Sequence, residues 1–197
     1  MTTRAKIEAA GLALIDEQGF EAATVGAIRE KAGVSNGSFF HFFRSKEELA
    51  AALFLDAIRR YHRAMLAALA HDPGAEAGIA ALVRAHFQWV IENQKQARFL
   101  FEHARSEWIE SVRDNQREEN EIYRRGVSRW RDPLVKIGRL REMDPLVFYS
   151  QVIGPAQIFC RAWLSGRDAS DPSHHVPDLI DCAIRAVVTT AKSKRRT

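Results

Sequence analysis

Residues 24–46 read TVGAIREKAGVSNGSFFHFFRSK, and this stretch decides the fold. Its pattern predicts two short helices that are joined by a tight turn at Gly33 and followed at once by a third helix. Thr24 and Ser35 stand where the N-caps of the first two helices are expected, because their hydroxyls can accept hydrogen bonds from backbone N–H groups. This is the layout of a helix-turn-helix, which presents one short helix to the major groove of DNA.

Charged residues are placed unevenly around this stretch. Residues 1–62 hold eight Lys or Arg and eight Asp or Glu, so the chain's excess of +4 lies entirely in residues 63–197. From Lys31 to Lys46, however, the sequence contains three Lys or Arg residues and no acidic one. A polyanion that approaches this window meets no carboxylate, so the local placement of charge favours a nucleic-acid partner. The basic tail at 192–196 is expected to be a solvated helix end.

Composition and segment lengths exclude several classes of protein. No run approaches the roughly 18 consecutive apolar residues of a membrane span, and the N-terminus lacks the apolar stretch of a secretory signal. Two cysteines are too few for a disulfide framework, and we expect both Cys160 and Cys182 to be buried in apolar helices. The sequence therefore predicts a cytoplasmic protein with no membrane association, no metal and no cofactor.

Helical periodicity runs through nearly the whole chain, and no convincing alternating strand pattern occurs. We therefore predict an all-α fold of about nine helices. Pro133 is expected to kink or break the seventh helix, and Gly138 to end it. The predicted helices are Thr3–Gln18, the two short helices of the motif at about 24–43, a helix from the Ser45–Glu48 capping box to about Leu69, 76–93, 95–105, 108–137, Pro145–Ser165 and Val176–Ala191.

The last two predicted helices are unusually apolar. The Pro145–Ser165 helix carries apolar residues around most of its circumference, and the final helix has one continuous apolar stripe. In a chain of this size, such surfaces indicate that a partner chain covers them. The residues that we expect at this interface are Phe148, Val152, Phe159, Trp163, Leu179, Ile180, Ala183, Ile184 and Val187.

The run AGVSNGSFFHFFRSKEEL, residues 32–49, closely resembles the TetR family of bacterial transcription regulators. The resemblance extends over roughly residues 4–60, and beyond them it is only architectural. It implies an all-α homodimer whose last two helices form a four-helix interface, with a ligand pocket within each C-terminal domain. We accordingly expect a three-helix DNA-binding domain at residues 1–47 and an effector-binding and dimerisation domain at residues 48–197.

Several side chains in and around the motif are suited to contact a duplex. A helix that begins at Asn36 offers N–H groups to a phosphate, and short polar side chains can reach phosphates or base edges. For Ser35 and Asn36, ordinary helix capping explains the residue types equally well. Phe39 and Phe43 are expected to be core residues. The predicted DNA-binding residues are Thr24, Arg29, Ser35, Asn36, Gly37, Ser38, Phe40, His41, Phe42, Arg44 and Lys46.

Three positions depart from the family pattern. Phe40 stands where the family commonly has Tyr, and Phe42 where it has Tyr or His, so two hydrogen bonds to phosphate are lost. Because each neutral hydrogen bond contributes about 1 kcal/mol net, we expect only a modest loss of affinity. Arg29 stands where the family usually has a small residue that lets the two helices pack closely. Its stem lies along the second helix, or the two helices cross differently, or its guanidinium reaches a phosphate.

Aromatic and polar residues on the middle helices are candidates for an effector pocket. Such pockets are mainly apolar and contain a few polar groups that orient the ligand, so we expect a small, mainly apolar organic effector. Ordinary core or surface roles are the alternative for each candidate. The candidates are Phe87, Phe99, His103, Trp108, Tyr123, Trp130, Tyr149, Gln151 and Gln157.

Together these features predict a sequence-specific transcription regulator that binds a pseudo-palindromic operator as a homodimer. We expect a repressor that a small-molecule effector releases from DNA; the alternative is a helical dimeric ligand- or protein-binding module with a weakened DNA head. Gly33–Gly37 also matches the G-x-S-x-G motif of hydrolases, but that chemistry needs a strand before the serine, and here a helix precedes it. We therefore expect no enzyme activity.

Overall fold

The computed structural model describes residues 1–189, which fold into ten α-helices and two short 3₁₀ helices. The all-α prediction is confirmed. The α-helices are α1 (Thr3–Gln18), α2 (Val25–Ala32), α3 (Asn36–Phe42), α4 (Lys46–Ala67), α5 (Ala75–Glu92), α6 (Gln94–His103), α7 (Arg113–Lys136), α8 (Pro145–Val152), α9 (Gly154–Leu164) and α10 (Val176–Val187). The 3₁₀ helices are Glu107–Val112 and Pro172–His175. The predicted helix end at Ala191 and the basic tail lie outside the described residues.

One compact unit consists of residues 1–60 together with residues 93–119. Arg98 of α6 donates a 2.7 Å hydrogen bond to Asp16 of α1 within this unit. The core of the unit has two apolar clusters. The first cluster joins α1 to the short helices α2 and α3 and contains Ile7, Ala10, Ile28, Phe39, Phe43 and Leu49. The second joins α1 and α4 to α6 and the 3₁₀ helix after it, and contains Ile15, Ala23, Ala50, Ala51, Phe54, Ile58, Phe99, Trp108 and Ile109.

The other compact unit is described over residues 61–92 and 120–189. In it α5 contacts α8, α9 and α10. The indole of Trp130 on α7 lies so close to Gly78 of α5 that a Cβ there would approach the ring to 2.2 Å. Its Nε1 donates a 2.7 Å hydrogen bond to the carbonyl oxygen of Pro73. The glycine thus lets α5 and α7 meet closely.

Two predicted helices differ from those observed. The single helix predicted at 145–165 is wrong, because the chain forms α8 and α9 with a break at Ile153. Pro155 has no N–H to donate, and its ring clashes with the carbonyl group four residues earlier, which interrupts the ladder of helical hydrogen bonds. The helix predicted at 108–137 begins only at Arg113, after a 3₁₀ helix. Pro133 lies inside α7 without ending it.

The two cysteines have different environments. Cys160 on α9 is buried, as expected, but Cys182 is exposed, so the prediction of a second buried cysteine is wrong. The physical reason is its position on α10, where Ala183 and Val187 rather than Cys182 point into the core. Among the described residues no helix combines the length and the apolar character that a membrane crossing requires.

Candidate nucleic-acid interface

The turn between α2 and α3 is fixed by local hydrogen bonds. Thr24 caps α2, because its hydroxyl oxygen accepts a 3.2 Å hydrogen bond from the N–H of Ala27. Gly33 ends α2 in the left-handed region at φ +64°, a conformation that costs residues with a Cβ about 1–2 kcal/mol. The N–H of Val34 then donates to the carbonyl oxygen of Arg29 at 3.1 Å, which closes the end of the helix.

Helix α3 is held by its own cap and by two buried aromatic rings. Ser35 accepts a 3.1 Å hydrogen bond from the N–H of Ser38 through its hydroxyl oxygen. Phe39 and Phe43 are buried in the first cluster, which confirms the core prediction for both. Phe40, by contrast, is 48% exposed. The helix therefore has one buried face, and the other is open to solvent.

The capping box at the start of α4 forms in a shifted version. The hydroxyl of Ser45 accepts a 3.2 Å hydrogen bond from the N–H of Glu48, as the spacing predicts. The carboxylate of Glu48 accepts in return from the N–H of Arg44 at 2.6 Å, one residue earlier than in the usual box. This pair of bonds fixes the chain between α3 and α4.

Arg29 contacts a predicted DNA-binding residue across the turn. Its Nη1 donates a 3.0 Å hydrogen bond to Oδ1 of Asn36. Because a guanidinium has only donors, the amide oxygen of Asn36 must face Arg29, and the NH₂ group of Asn36 is left for another partner. This contact was not predicted from the sequence, although the seven-residue separation across a tight turn was a usable signal.

Two of the three cations in the Lys31–Lys46 window have partners within the chain. Nζ of Lys31 forms a 2.8 Å ion pair with Glu17. Nζ of Lys46 donates to the carbonyl oxygen of Phe20 at 2.6 Å, and it lies 4.2 Å from the centroid of the Phe20 ring. Within residues 1–189, the side chain of Arg44 has no hydrogen bond or ion pair. Arg44 is thus the cation of this window that is best placed to meet a phosphate.

The structure brings all the predicted DNA-binding residues to α2, the turn, α3 and the start of α4. Their contacts with DNA remain predictions. Exposed members of the set are Thr24, Ser35, Asn36, Gly37, Phe40, His41 and Arg44. Partly buried members are Arg29, Ser38, Phe42 and Lys46.

The unit that contains α5, most of α7 and α8–α10 has a cavity of about 350 Å³. Of the nine predicted effector residues, only Tyr123 and Tyr149 line it. Tyr123, Val127 and Arg131 are spaced four residues apart on α7, so they share one face of the helix, and this spacing is the sequence signal for the wall of the cavity. The lining residues are His62, Asn120, Tyr123, Arg124, Val127, Ser128, Arg131, Pro145, Leu146, Phe148 and Tyr149.

The other predicted effector residues lie elsewhere. Phe99, His103 and Trp108 belong to the unit built from residues 1–60 and 93–119, where their rings contact one another. Phe87 and Trp130 are buried core residues, Gln157 is partly buried and Gln151 is exposed. None of these seven lines the cavity.

The predicted dimer residues fall into two groups. Phe148, Val152, Ile180, Ala183 and Val187 are buried within their own chain and offer almost no surface to a partner. Phe159, Trp163, Leu179 and Ile184 are partly exposed, and a dimer contact stays a prediction for these four. Sequence periodicity identified the apolar stripe, but it does not tell which apolar residues face the chain's own core.

A chain of polar side chains, one buried and two partly buried, runs beside the cavity. The hydroxyl of Tyr61 lies 2.9 Å from Nδ1 of His86 and 3.3 Å from the hydroxyl of Tyr149. His86 is 1% exposed, and this burial lowers its pKa to about 4. Burial also raises the pKa of Tyr61, Tyr123 and Tyr149 above the ordinary tyrosine value. At neutral pH all these groups are therefore uncharged.

A family model matches the N-terminal part of the chain. Residues 7–53 match the model of the family described as bacterial regulatory proteins, tetR family. Comparison with curated proteins gives no match.

Solved structures resemble the fold over nearly the whole chain. A TetR family regulatory protein from Rhodococcus RHA1 is 20% identical, with 97% of this chain and 100% of that chain covered and a TM-score of 0.78. A TetR family transcription regulator from Marinobacter aquaeolei VT8 is 18% identical, with coverages of 95% and 96% and a TM-score of 0.77. The regulator FadR from Bacillus subtilis, solved with stearoyl-CoA, is 18% identical, with coverages of 91% and 97% and a TM-score of 0.77.

A capped helix-turn-helix followed by a helical unit with its own cavity is the layout of DNA-binding transcription regulators. The matched segment contains the whole motif, from the cap at Thr24 through α3 to the start of α4. Residues 7–53 thus match the tetR family model, and the fold of the chain as a whole is similar to that of solved TetR family proteins.

Proposed function

We propose that this regulator is a homodimeric repressor that leaves its operator when a small organic molecule occupies the cavity lined by α7 and α8. The observation that carries this proposal is the presence, in one chain, of an exposed face on α3 and a cavity in the other compact unit. The domain assignment of residues 1–47 to DNA binding and residues 48–197 to effector binding and dimerisation is part of the proposal.

Exposed apolar surface on the last helices supports the dimer. Ile158 on α9 is 72% exposed, and the partly exposed Phe159 and Trp163 lie on the same helix. On α10, Leu179 and Ile184 are also partly exposed. A two-fold dimer buries such surface from both copies at once. It also presents two copies of α3 to half-sites about 34–36 Å apart, which fits a pseudo-palindromic operator.

Release by an effector requires only a difference in binding. A ligand that binds more tightly to a conformation with misplaced α3 helices lowers the affinity for the operator, and operator binding lowers the affinity for the ligand by the same factor. The solved complex of Bacillus subtilis FadR with stearoyl-CoA supports a ligand-responsive role for this fold. Because identity to that protein is only 18%, the ligand of this chain has to be argued from its own cavity.

A gel-shift experiment tests the proposal. The full chain is titrated against DNA from upstream of its own and neighbouring genes, in a salt series, with scrambled DNA of equal length as the control. We expect one specific fragment whose affinity falls steeply with salt, and release of that fragment by a ligand of the cavity. Equal binding to specific and scrambled DNA would leave the alternative of a ligand- or protein-binding module with a weakened DNA head.

A further inference from the structure

The wall of the cavity carries positive charge and no negative charge. Its eleven lining residues include Arg124 and Arg131 but neither Asp nor Glu. The remaining lining is mostly apolar or aromatic, with Val127, Leu146 and Phe148 among its members. Such a wall favours a ligand that combines an apolar body with negative charge, because desolvated cations attract anions more strongly than in water.

Arg131 is the buried cation of this wall. Arg131 is 6% exposed. Its guanidinium carbon lies over the ring of Phe148, 5.1 Å from the ring centroid. One Nη donates to the carbonyl oxygen of Met143. The other is 3.7 Å from Oδ1 of Asp132, a long ion pair with an exposed carboxylate. Nε is buried without any hydrogen-bond partner.

A buried guanidinium with so few partners needs an explanation, since buried polar groups are nearly always satisfied. Arg124, in contrast, is already paired, because it donates two 2.7 Å hydrogen bonds to Glu121. Tyr149 adds a hydroxyl that is neutral at pH 7, since burial raises its pKa. Arg131 is therefore the lining group whose charge is least compensated by the chain.

We propose that the cavity binds a compact organic carboxylate, with its apolar body against Val127, Leu146 and Phe148 and its negative charge beside Arg131. A volume of about 350 Å³ lies at the lower end of the roughly 300–1,000 Å³ of ligand pockets, which favours a compact molecule over a long-chain thioester. This inference rests on the proposed function only for the consequence at DNA; the choice of ligand class rests on the cavity itself.

Pairs of ligands that differ only in charge test the ligand class. Benzoate and octanoate are compared with benzamide and octanamide by calorimetric titration and by thermal unfolding of the protein at pH 7.5. We expect one carboxylate of the two to bind and to raise Tm, and its amide to bind at least about tenfold more weakly. Equal binding of acid and amide overturns the proposal, as does the absence of carboxylate binding at millimolar concentration.

Variants of Arg131 test the residue. Arg131→Gln should weaken carboxylate binding by about tenfold to a hundredfold, and Arg131→Lys by less, because it retains the charge without the planar fork. The matched control is Arg125→Gln on the same helix, an exposed arginine that does not line the cavity. Unchanged carboxylate binding by a folded Arg131→Gln overturns the assignment. If circular dichroism shows that this variant does not fold, Arg131→Lys and the acid–amide comparison decide.

Release of DNA is measured separately from ligand binding, in the gel-shift experiment. If a carboxylate binds but leaves the gel shift unchanged, the ligand class stands and the proposed effector role falls. If neutral compounds bind and release DNA while the carboxylates do not bind, the effector role stands and the anion proposal falls.

Discussion

Arg44 and Lys46 lie two residues apart, but their side chains have different surroundings. The ammonium of Lys46 is held by the carbonyl oxygens of Phe20 and Glu21, at 2.6 and 3.3 Å, and by the ring of Phe20. The guanidinium of Arg44 is exposed and has no such partner within the described residues. The two cations are therefore expected to contribute differently to stability and to DNA binding.

Alanine variants separate these two roles. Lys46→Ala should lower the free energy of unfolding by about 1–2 kcal/mol, because it removes charged hydrogen bonds and a cation–π contact. Arg44→Ala should leave stability nearly unchanged and reduce the slope of log affinity against log salt by about 0.9, the loss of one phosphate contact. Urea unfolding and gel shifts in a salt series measure both quantities. A reduced slope in Lys46→Ala, with stability intact, would show that Lys46 leaves its carbonyl partners to bind phosphate.

The hydrogen bond between Arg29 and Asn36 leads to a prediction about base preference. Arg29→Ala frees the amide oxygen of Asn36, so the amide can rotate and accept as well as donate. We expect a changed base preference at one position of each half-site, with little change in the salt slope. Selection of binding sites from a random library measures this. The double variant Arg29→Ala with Asn36→Ala should match Asn36→Ala alone; independent effects would contradict the coupling.

Local caps were predictable, while contacts between distant residues were not. Thr24, Ser35 and Ser45 each accept from an N–H three residues ahead, so residue type and spacing were sufficient. The partner of Lys46 is a backbone carbonyl at Phe20, and nothing in the residue type of Phe20 indicates this. Sequence patterns specify side chains, whereas backbone acceptors become apparent only when the chain is folded.

At the scale of the elements, the turn between α2 and α3 depends on Gly33. Gly33→Ala should lower the free energy of unfolding by about 1–2 kcal/mol, since φ +64° is unfavourable for a residue with a Cβ. Gly33→Asn should cost less, because Asn tolerates this region better. Gly37→Ala is the control, since a Cβ there meets only the hydroxyl of Ser35 at 4.0 Å and the residue is helical. Equal stability of Gly33→Ala and the unaltered chain in urea unfolding would contradict the prediction.

The break between α8 and α9 shows what the helix predictions lacked. Apolar periodicity continues through Val152 and Phe159, and it alone favours one helix. The sequence also contains the dipeptide Gly154–Pro155. A proline favours a break in the helix because it has no N–H to donate. Pro133, however, lies inside α7 without ending it. Proline therefore marks a position where a helix can end, and tertiary packing decides whether it does.

At the scale of the molecule, burial of His86 makes stability depend on pH. Its pKa of about 4 in the folded chain lies below the ordinary value of 6.5. The unfolded chain therefore binds a proton between pH 6.5 and 4 that the folded chain does not bind, so stability falls as pH decreases through this window. The difference of 2.5 pKa units corresponds to about 3 kcal/mol at pH 4, relative to pH 7.

Comparison with a variant isolates this contribution. His86→Gln keeps a group that can hydrogen-bond to Tyr61 and removes the titration. We expect urea unfolding at pH 7.5, 6.0 and 5.0 to show a steeper loss of stability for the unaltered chain than for His86→Gln, because carboxylate effects are common to both. The same pH dependence in both proteins would mean that His86 does not supply it.

The cavity was the part of the site least predictable from sequence. Its wall combines α7 and α8 with His62 near the end of α4, so its residues come from distant parts of the chain. Aromatic content alone does not select the residues of this wall, since Phe99 and Trp108 belong to an apolar cluster in the other compact unit. The DNA-binding segment was more predictable because it is continuous in sequence and its caps and buried faces follow local rules.

The second apolar cluster has a consequence for the synthesis of the protein. The ribosome delivers residues 1–60 first, but Phe99 and Trp108, which cover Ile15 and Phe54, follow about 40–50 residues later. At about 5–20 residues per second, the growing chain carries this uncovered apolar surface for several seconds. The helix-turn-helix is thus synthesised before the residues that complete the core of its unit, so the nascent chain is prone to aggregation during that interval.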